Sequence, residues 1–568
     1  MNRSAPLLAL LLGCPKPAPP EPPKTTRVVQ IAALNDFHGA LYELPKRGEP
    51  TRAYGGLPWL ASALDALRTE HPDLLVLDGG DIFQGSWPVN ATKGRGAVLA
   101  YNLLGVDVAA VGNHEFDYGG IEGGHPLRGA LEAGGKLAEY DWVAANIREE
   151  GGQHWGPEGF GRWVIVERGG VKVGVLGLST QDTPQTTLAK NVADLTFEDV
   201  VATAREVAPK LREAGAEVVV AVGHLSGQCE PTAYDAIGPE CMPGGEVGRL
   251  LTELEPGTLD VMIMGHAHTL MHHRIGDTFV LEQRAQGHAI GRLELVVGPE
   301  GVDADASTLH PAWFLEHDAV DPGCTDAPFP TEPIDVGGRS LAPHAGALAL
   351  IEQLEAEAGS LCDEVGCTTT ALTRDRKTQN PVGDFVSTSM LAAFPDADVA
   401  VTNAGGLRAD VPEGTLRREH LQAVMPFDNR LLVVEMTGSQ LETLFRLGTS
   451  GGHGLIQIDG ASLRFDPEAT AGTDLDGNGE VEDWERDRLC HTGIQAAGAP
   501  LDPARTYRVV TTDFLFNGGD HLGHAFEGLK PVEEGPLLRD AMNTWFASLD
   551  TCYTPGGPER ISQGACAR

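Results

Sequence analysis

Five times along the first half of this chain an apolar run ends in a short loop carrying aspartate, asparagine or histidine. RVVQIAAL (27–34) leads into NDFHG, and LLVLDGGD (74–81) ends on Asp81. VDVAAV (106–111) leads into GNHEFD, AEVVVAVGH (216–224) ends on His224, and LDVMIMGH (259–266) continues as GHAH. Helical stretches such as LPWLASALDAL, AVLAYNLLG and EDVVATAREVAPKLREAG separate the runs, with apolar residues three and four apart. Strand, polar loop and helix in repetition predict an α/β fold whose ligand-type residues gather at strand C-terminal ends. One such loop is explained by an ordinary solvent-facing turn; five in one sheet are not.

A length of 568 residues exceeds one core of usual size and predicts two domains. The first is expected over 26–305, with WVIVERG and VKVGVLGLS as further strands and EQRAQGHAIGRLELVV as edge strands closing it. A Pro-, Gly- and Asp-rich stretch, DPGCTDAPFPTEPIDVGG, marks a linker over 306–344. The helix ALALIEQLEAEAG then opens a second domain over 345–565, with DFVSTSMLAAF and QLETLFRLG as helices and DVAVTN, LLVVEM and TYRVVTTDF as strands.

Against 42 Lys+Arg stand 80 Asp+Glu, a formal charge of -38 that repels nucleic-acid polymers and anionic lipid headgroups. A small anionic substrate stays compatible, because bound cations invert the local field. The run APLLALLLG is too short to span a membrane in the mature protein and ends at Cys14. Leu-Leu-Gly-Cys resembles a bacterial lipobox, so residues 1–14 read as a lipoprotein signal and 15–25 as a Pro-rich tether. The expectation is export to the periplasm or cell surface, with lipidated Cys14 as the sole membrane attachment; an ordinary secretory signal is the alternative. Eight cysteines remain, an even number suited to disulfides in an exported chain, and Cys229–Cys241 and Cys362–Cys367 are the shortest pairings.

Asp36, His38, Asp81, Asn113, His224, His266 and His268 mix carboxylate, imidazole and amide oxygen as a pair of divalent ions requires. The motifs DFH, GD, GNHE, GH and GHAH in this order resemble the calcineurin-like metallophosphoesterase superfamily. NDFHG, LDGGDIFQG and GNHEFDYG resemble in particular the secreted 5'-nucleotidase family, which includes UDP-sugar hydrolases and cyclic-nucleotide phosphodiesterases. The resemblance implies a four-layer α/β/β/α first domain and a second α/β 5'-nucleotidase C-terminal domain. It also implies that Asp36, His38, Asp81 and His268 hold one metal and that Asp81, Asn113, His224 and His266 hold the other, with Zn, Mn or Co suited to the set. His114 would contact the phosphoryl group and Asp117 would orient its ring, while Glu115 reads as a supporting loop residue. His272 and His273 read as surface or rim residues, and His288 as a cleft residue without a partner.

In the second domain, TNAGGLR (402–408) and TTDFLFNGGDHL (511–522) resemble the family's NxGGxR and FLxxGGD segments. The resemblance implies that Asn403 contacts base or sugar, Arg408 an anionic group, Phe514 the base and Asp520 ribose hydroxyls. Arg376 matches a further family arginine, with Arg374 as the alternative. GLIQIDG places Leu455 where the family carries a stacking Phe, a departure that removes one π-face from the base site and with it the basis for purine preference. DLDGNGEVEDWE (474–485) fits a twelve-residue calcium loop through Asp474, Asp476, Asn478, Glu480 and Glu485, without strong flanking helices. The expected activity is hydrolysis of nucleotide phosphate monoesters. UDP-sugar or diphosphate cleavage, cyclic phosphodiester cleavage, a thiosulfohydrolase branch and a degenerate surface binding lipoprotein are the alternatives.

Overall fold

The computed structural model describes residues 26–46, 49–187, 189–227, 244–319, 332–427, 429–452, 454–475, 481–557 and 559–566. Cys14, Cys229, Cys241, Cys324, Asp476, Asn478 and Glu480 lie outside them, as do the signal and tether.

Alternation along the apolar runs builds two stacked sheets. In Arg27–Leu34, Val29, Ile31 and Ala33 point to one face, Ala32 and Leu34 to the other; in Val218–His224, Val218, Val220 and Val222 oppose Val219 and Ala221. The first set of each strand meets in a common core between the sheets, as the two-residue strand period requires. The second set packs under helices on the outside. Leu57–Glu70 covers the first sheet with Leu57, Leu60, Leu64 and Leu67. Val200–Glu213, capped by Asp199 through the N–H of Ala202, covers the other with Val200, Ala204, Val207 and Leu211. Each buried aliphatic side chain contributes about 1.5–3 kcal/mol, so the four layers are held from both faces of both sheets.

The seven-stranded sheet has Arg27–Leu34, Leu75–Asp78 and Val108–Ala110 side by side and parallel, and the six-stranded sheet has Val218–His224 beside Val261–Gly265 in the same relation. All five ligand loops therefore emerge from one end of the stack.

Three expectations require correction. Within the 306–344 linker, residues up to Phe314 belong to the fourteen-residue strand Gly301–Phe314, which pairs with Ala289–Gly298 and takes the sheet edge. Its buried residues enter two cores, Ala304 and Leu309 the one between the sheets and Trp313 the one under the helices, and register shifts with exposed polar residues between them hide the alternation. The hairpin Ile334–Val336/Arg339–Leu341 follows, with Val336 in the first domain's core. The helix Ala345–Ala358 packs Ala347, Ile351 and Leu354 into that same core instead of opening the second domain. The short pairing Cys362–Cys367 does not form: Cys367 bonds Cys552 across 185 residues and Cys490 bonds Cys566.

The second domain centres on a five-stranded sheet in the order Ile456–Asp459, Val399–Asn403, Thr506–Thr512, Arg430–Thr437, Pro531–Leu537. Pro381–Ala393, capped by Asn380, Gly438–Thr449, capped by Thr437, and Leu538–Ala547 flank it. Among the described residues no helix is long and apolar enough to cross a membrane.

Candidate active site

The loops interlock before any side chain is considered. Asp36 N–H donates to Gly80 O at 2.9 Å, His38 N–H to Asp81 O at 3.0 Å, and Gln286 N–H to Asp36 O at 2.7 Å. Asp36, His38, Asp81, His266 and His268 all stand at positive φ, between 47° and 94°. Non-glycine residues rarely adopt this region, and a cluster of them persists only where surrounding bonds over-determine the backbone. Gly112 answers a steric demand: a β-carbon there would lie 2.1 Å from Asp81 Oδ1.

Glu115 is the organiser that the sequence left in a supporting role. Its buried carboxylate accepts N–H bonds from Ile82 (2.8 Å) and Phe83 (3.0 Å) on one oxygen and from Gly112 (2.6 Å) and Asp81 (3.0 Å) on the other. It thus ties the Asp81 loop to the GNHE loop. Burial and the neighbouring Asp81 charge push its carboxyl up to about 8, against the pull of these donors. Asp78, the first aspartate of DGGD, is likewise buried; it accepts from Gly80 N–H and the Tyr101 hydroxyl, both at 2.8 Å, and burial raises it to about 7.

Inside this frame the seven expected donors converge. Donor atoms of Asp36, His38 and His268 lie within 4.8 Å of one another, as do those of Asp36, Asp81 and His224. Asp81 Oδ2 is 2.9 Å from His224 Nε2 and 3.9 Å from His38 Nε2, so this carboxylate faces both groups. His38 Nδ1 donates toward the Gln84 carbonyl (3.1 Å) and His224 Nδ1 toward the Gly79 carbonyl (3.1 Å), which leaves both Nε2 atoms for a ligand role. Asn113 donates its amide to Thr186 O at 3.0 Å and turns Oδ1 to His266 Nδ1 at 3.2 Å. His38 and His268 oppose their Nε2 atoms at 3.1 Å, and His224 and His266 oppose ring nitrogens at 3.2 Å. Ring nitrogens converging in pairs around two buried carboxylates are the donor chemistry of a divalent-ion centre, and the residues present fit one.

The charge states suit that role. Burial drives His38 and His266 down to about 4, so both rings are neutral. Burial works against ionising Asp36 and Asp81, but the adjacent histidines hold both carboxyls below the usual range, Asp81 well below. Burial also opposes charge on His224, yet Asp81 raises it to about 9, so ion binding there must displace a proton.

His114 stands beside the donors, with Nε2 4.0 Å from Asp81 Oδ2 and Nδ1 2.6 Å from Asp117 Oδ2. Asp117 is itself held by the Thr187 hydroxyl at 2.8 Å. Burial opposes charge on His114, but Asp117 and Asp81 lift it to about 10.

A cleft of about 700 Å³ opens from this centre to the second domain. Asp81, Asn113, His114 and His266 line one side, and Phe427, Asn429, Arg430 and Phe514 the other. Of the expected substrate residues, only Phe514 lines it, 46% exposed. Arg376, Asn403 and Asp520 gather beside it: a β-carbon on Gly405 would lie 3.3 Å from Asn403 Nδ2 and 3.4 Å from both Arg376 Nη2 and Asp520 Oδ2. Asn403 donates to Asp520 at 2.6 Å. Arg374, the alternative to Arg376, instead donates to the Leu407 carbonyl. Arg408 lies over the Phe427 ring at 5.0 Å.

Leu455 requires correction as a substrate-facing residue. It is 4% exposed within the second domain's core, because its N–H and carbonyl are tied to Arg376 O and Ala404 N and turn the side chain inward. The second-domain ring that lines the cleft with Phe514 is Phe427, in MPFDNR, where a Pro-Phe step before a polar strand start was the missed signal. Of the remaining histidines, His272 and His273 are buried strand residues and not rim residues, and His288 does have partners, stacking on Tyr54 at 4.1 Å and meeting Glu316 at 3.3 Å. Glu485 is fully buried, accepting from Leu475 and Glu482 N–H groups, and Asp474 is half-buried.

Two stacked sheets carrying this donor set at their common end define a metallophosphoesterase. Residues 29–270 match the calcineurin-like phosphoesterase family and 359–528 the 5'-nucleotidase C-terminal domain. The chain belongs to the 5'-nucleotidase family of metallophosphoesterases, a family of hydrolases. It is 27% identical over 540 residues to a cell wall protein of Listeria monocytogenes, covering 87% of this chain and only 63% of that longer protein. It is 26% identical over 512 residues to the snake venom 5'-nucleotidase of Crotalus adamanteus, covering 86% and 81%. The crystal structure of a 5'-nucleotidase precursor from Thermus thermophilus shares the fold with a TM-score of 0.61 at 21% identity, over 94% of this chain and 99% of that one.

Proposed function

We propose that this protein hydrolyses nucleotide phosphate monoesters outside the cytoplasm, using two divalent ions. The observation that carries the reading is the cleft itself, which joins the donor cluster and His114 to the aromatic pair Phe427 and Phe514. Asp36, His38, Asp81 and His268 would hold one ion and Asp81, Asn113, His224 and His266 the other, with Asp81 shared. Bound there, zinc, manganese or cobalt ions would supply positive charge for the phosphoryl oxygens and activate water for in-line attack. His114, held by Asp117, would stabilise the developing charge and deliver a proton to the leaving oxygen. Phe427 and Phe514 offer π-faces for a base, while Arg376, Asn403, Arg408 and Asp520 read phosphate and ribose.

That polar cluster sits beside the cleft, so substrate held there would reach the metals through a hinge rotation of the second domain, which we place from residue 359 onward. Export belongs to the same proposal, supported by the cell wall and venom proteins among the relatives, while lipidation at Cys14 rests on the Leu-Leu-Gly-Cys sequence alone. A calcium ion in the 474–485 loop is proposed as structural; a calcium-dependent rise in melting temperature would test it.

The test is phosphate release by the metal-reconstituted chain lacking residues 1–25, against AMP, UMP, ADP, UDP-glucose, cyclic nucleotides and p-nitrophenyl phosphate, with D81N as control. Monoester turnover lost in D81N and after chelation is the expected result. Turnover of UDP-glucose or cyclic nucleotides alone would replace the reading; Lys93, which lines the cleft, offers a cation for a second phosphate. Two bound metals with no turnover would leave a surface binding protein.

A further inference from the structure

The segment between Phe465 and Leu489 lies outside the catalytic cleft, yet it reaches back to the turn that carries Asp520. Its ends are closed by Asp466 N–H to Arg488 O at 2.8 Å and Asp487 N–H to Ala471 O at 2.7 Å. Trp484 stands on its returning arm, in the short 3-10 turn Asp483–Glu485, 7% exposed, its indole N–H donated to Glu482 at 2.7 Å. The residue also packs against Gly452, where a β-carbon would lie 2.8 Å from the Trp484 side chain.

The indole lies flat on His521, with centroids 4.3 Å apart and planes 13° apart, and on His524 at 5.4 Å and 11°. His521 follows Asp520, and both stand at positive φ, 59° and 53°, directly after Gly518 and Gly519. Two consecutive non-glycine residues in the left-handed region are unfavourable in isolation and need external restraint. The side chains supply it from two directions: Asn403 holds the Asp520 carboxylate at 2.6 Å, and Trp484 holds the His521 ring.

We propose that Trp484 is a positioning residue. By clamping His521 it keeps Asp520 in the left-handed turn that presents its carboxylate beside Asn403 and Arg376. What Asp520 recognises, a ribose diol, rests on the nucleotidase reading. The stack acts on the nucleoside end of a substrate and leaves the phosphoryl end, at the metal centre, untouched. Deleting it lets the turn relax toward right-handed conformations and withdraws Asp520 from its neighbours.

The experiment compares wild type, W484A, W484F, H521A and W484A/H521A in the metal-reconstituted full chain. Hydrogen exchange of the 517–526 backbone should accelerate about tenfold in W484A and H521A, with the first domain unchanged and W484F close to wild type. KM for AMP should rise about fivefold in the same two variants with kcat within about twofold, while KM for p-nitrophenyl phosphate stays put. The double variant should be no worse than W484A alone, because the Trp484–His521 stack that H521A removes is already gone in W484A. Unchanged exchange at 517–526 in both single variants, or additive effects, would overturn the proposal. So would faster exchange spread evenly over the second domain, which marks a packing role only. A wild type that cleaves p-nitrophenyl phosphate but no nucleotide would remove the nucleotidase reading, and the exchange data alone would then decide the role of Trp484.

Discussion

His114 Nδ1 stands 2.6 Å from Asp117 Oδ2, three residues on, and this contact together with the Asp81 charge outweighs the burial that opposes charge on the ring. In the metal-free protein the imidazole is therefore raised from its ordinary value near 6.5 to about 10. A histidine whose folded value is raised contributes stability that is full below pH ~6.5 and is lost as pH rises through about 10. D117N should pull the midpoint of His114 down, flatten the loss of stability between those limits, and lower kcat by roughly tenfold or more. NMR titration of the metal-free variant, with kcat of the reconstituted one, checks both. An unmoved midpoint would show that Asp81 alone sets the charge of the ring.

Glu115 makes four N–H bonds with two oxygens, so above pH about 8, where it is a carboxylate, an isosteric amide cannot replace it. E115Q would turn an NH2 group against two backbone donors in a buried site. The expected cost is about 3 kcal/mol of stability, with loss of tight metal binding because the Asp81 and GNHE loops lose their tie. Urea midpoints and metal content by mass spectrometry check it. Wild-type metal content at full occupancy would mean that the metals, not Glu115, set the loop geometry.

What was legible in the sequence was whatever depends on local period and chemistry. The apolar runs set strand positions, and each polar loop after them brought its donors to one end of the stack. Glu115 was visible as a residue, but its four partners come from two loops and exist only once the sheet has formed. The positive φ values of Asp36 and His266 have no sequence signal, since neither is glycine. Gly301–Phe314 was concealed because register shifts in its pairing send Leu309 and Trp313 into different cores, with exposed polar residues between the buried ones. Leu455 was read at the cleft and Phe427 went unread because a motif gives spacing, whereas which side chain faces a cleft is set by backbone hydrogen bonds such as Leu455 N–H to Arg376 O.

The disulfide Cys367–Cys552 joins the start of the second domain to its C-terminal segment across 185 residues. Closing so long a loop restricts the unfolded chain, with a chain-entropy contribution of about 5 kcal/mol and about 2–5 kcal/mol expected on removal. C367S/C552S should lower the urea midpoint of the second domain while the first domain's metal content is unchanged. Equal loss in both domains would show that they unfold as one unit.

Leu455 in the core and Phe427 at the cleft make opposite predictions for two substitutions in the same domain. Leu455 is a core residue, so L455A should cost about 2–5 kcal/mol of stability through a cavity and leave the KM of a nucleotide nearly unchanged. Phe427 and Phe514 line the cleft, and Phe514 is 46% exposed, so its truncation removes little packing. If the two rings stack on the base, F427A and F514A should each weaken nucleotide binding by about 1–3 kcal/mol, roughly 5- to 150-fold in KM. Neither should change KM for p-nitrophenyl phosphate by more than about twofold, since that ester engages only the metal end. Steady-state kinetics on AMP, UMP and p-nitrophenyl phosphate, beside urea midpoints, separate the cases. A larger loss for AMP than for UMP would identify a π-clamp that favours purines despite the leucine at 455. An L455A variant that is stable but blind to nucleotides would return the substrate to the Leu455 side and displace Phe427 from the site.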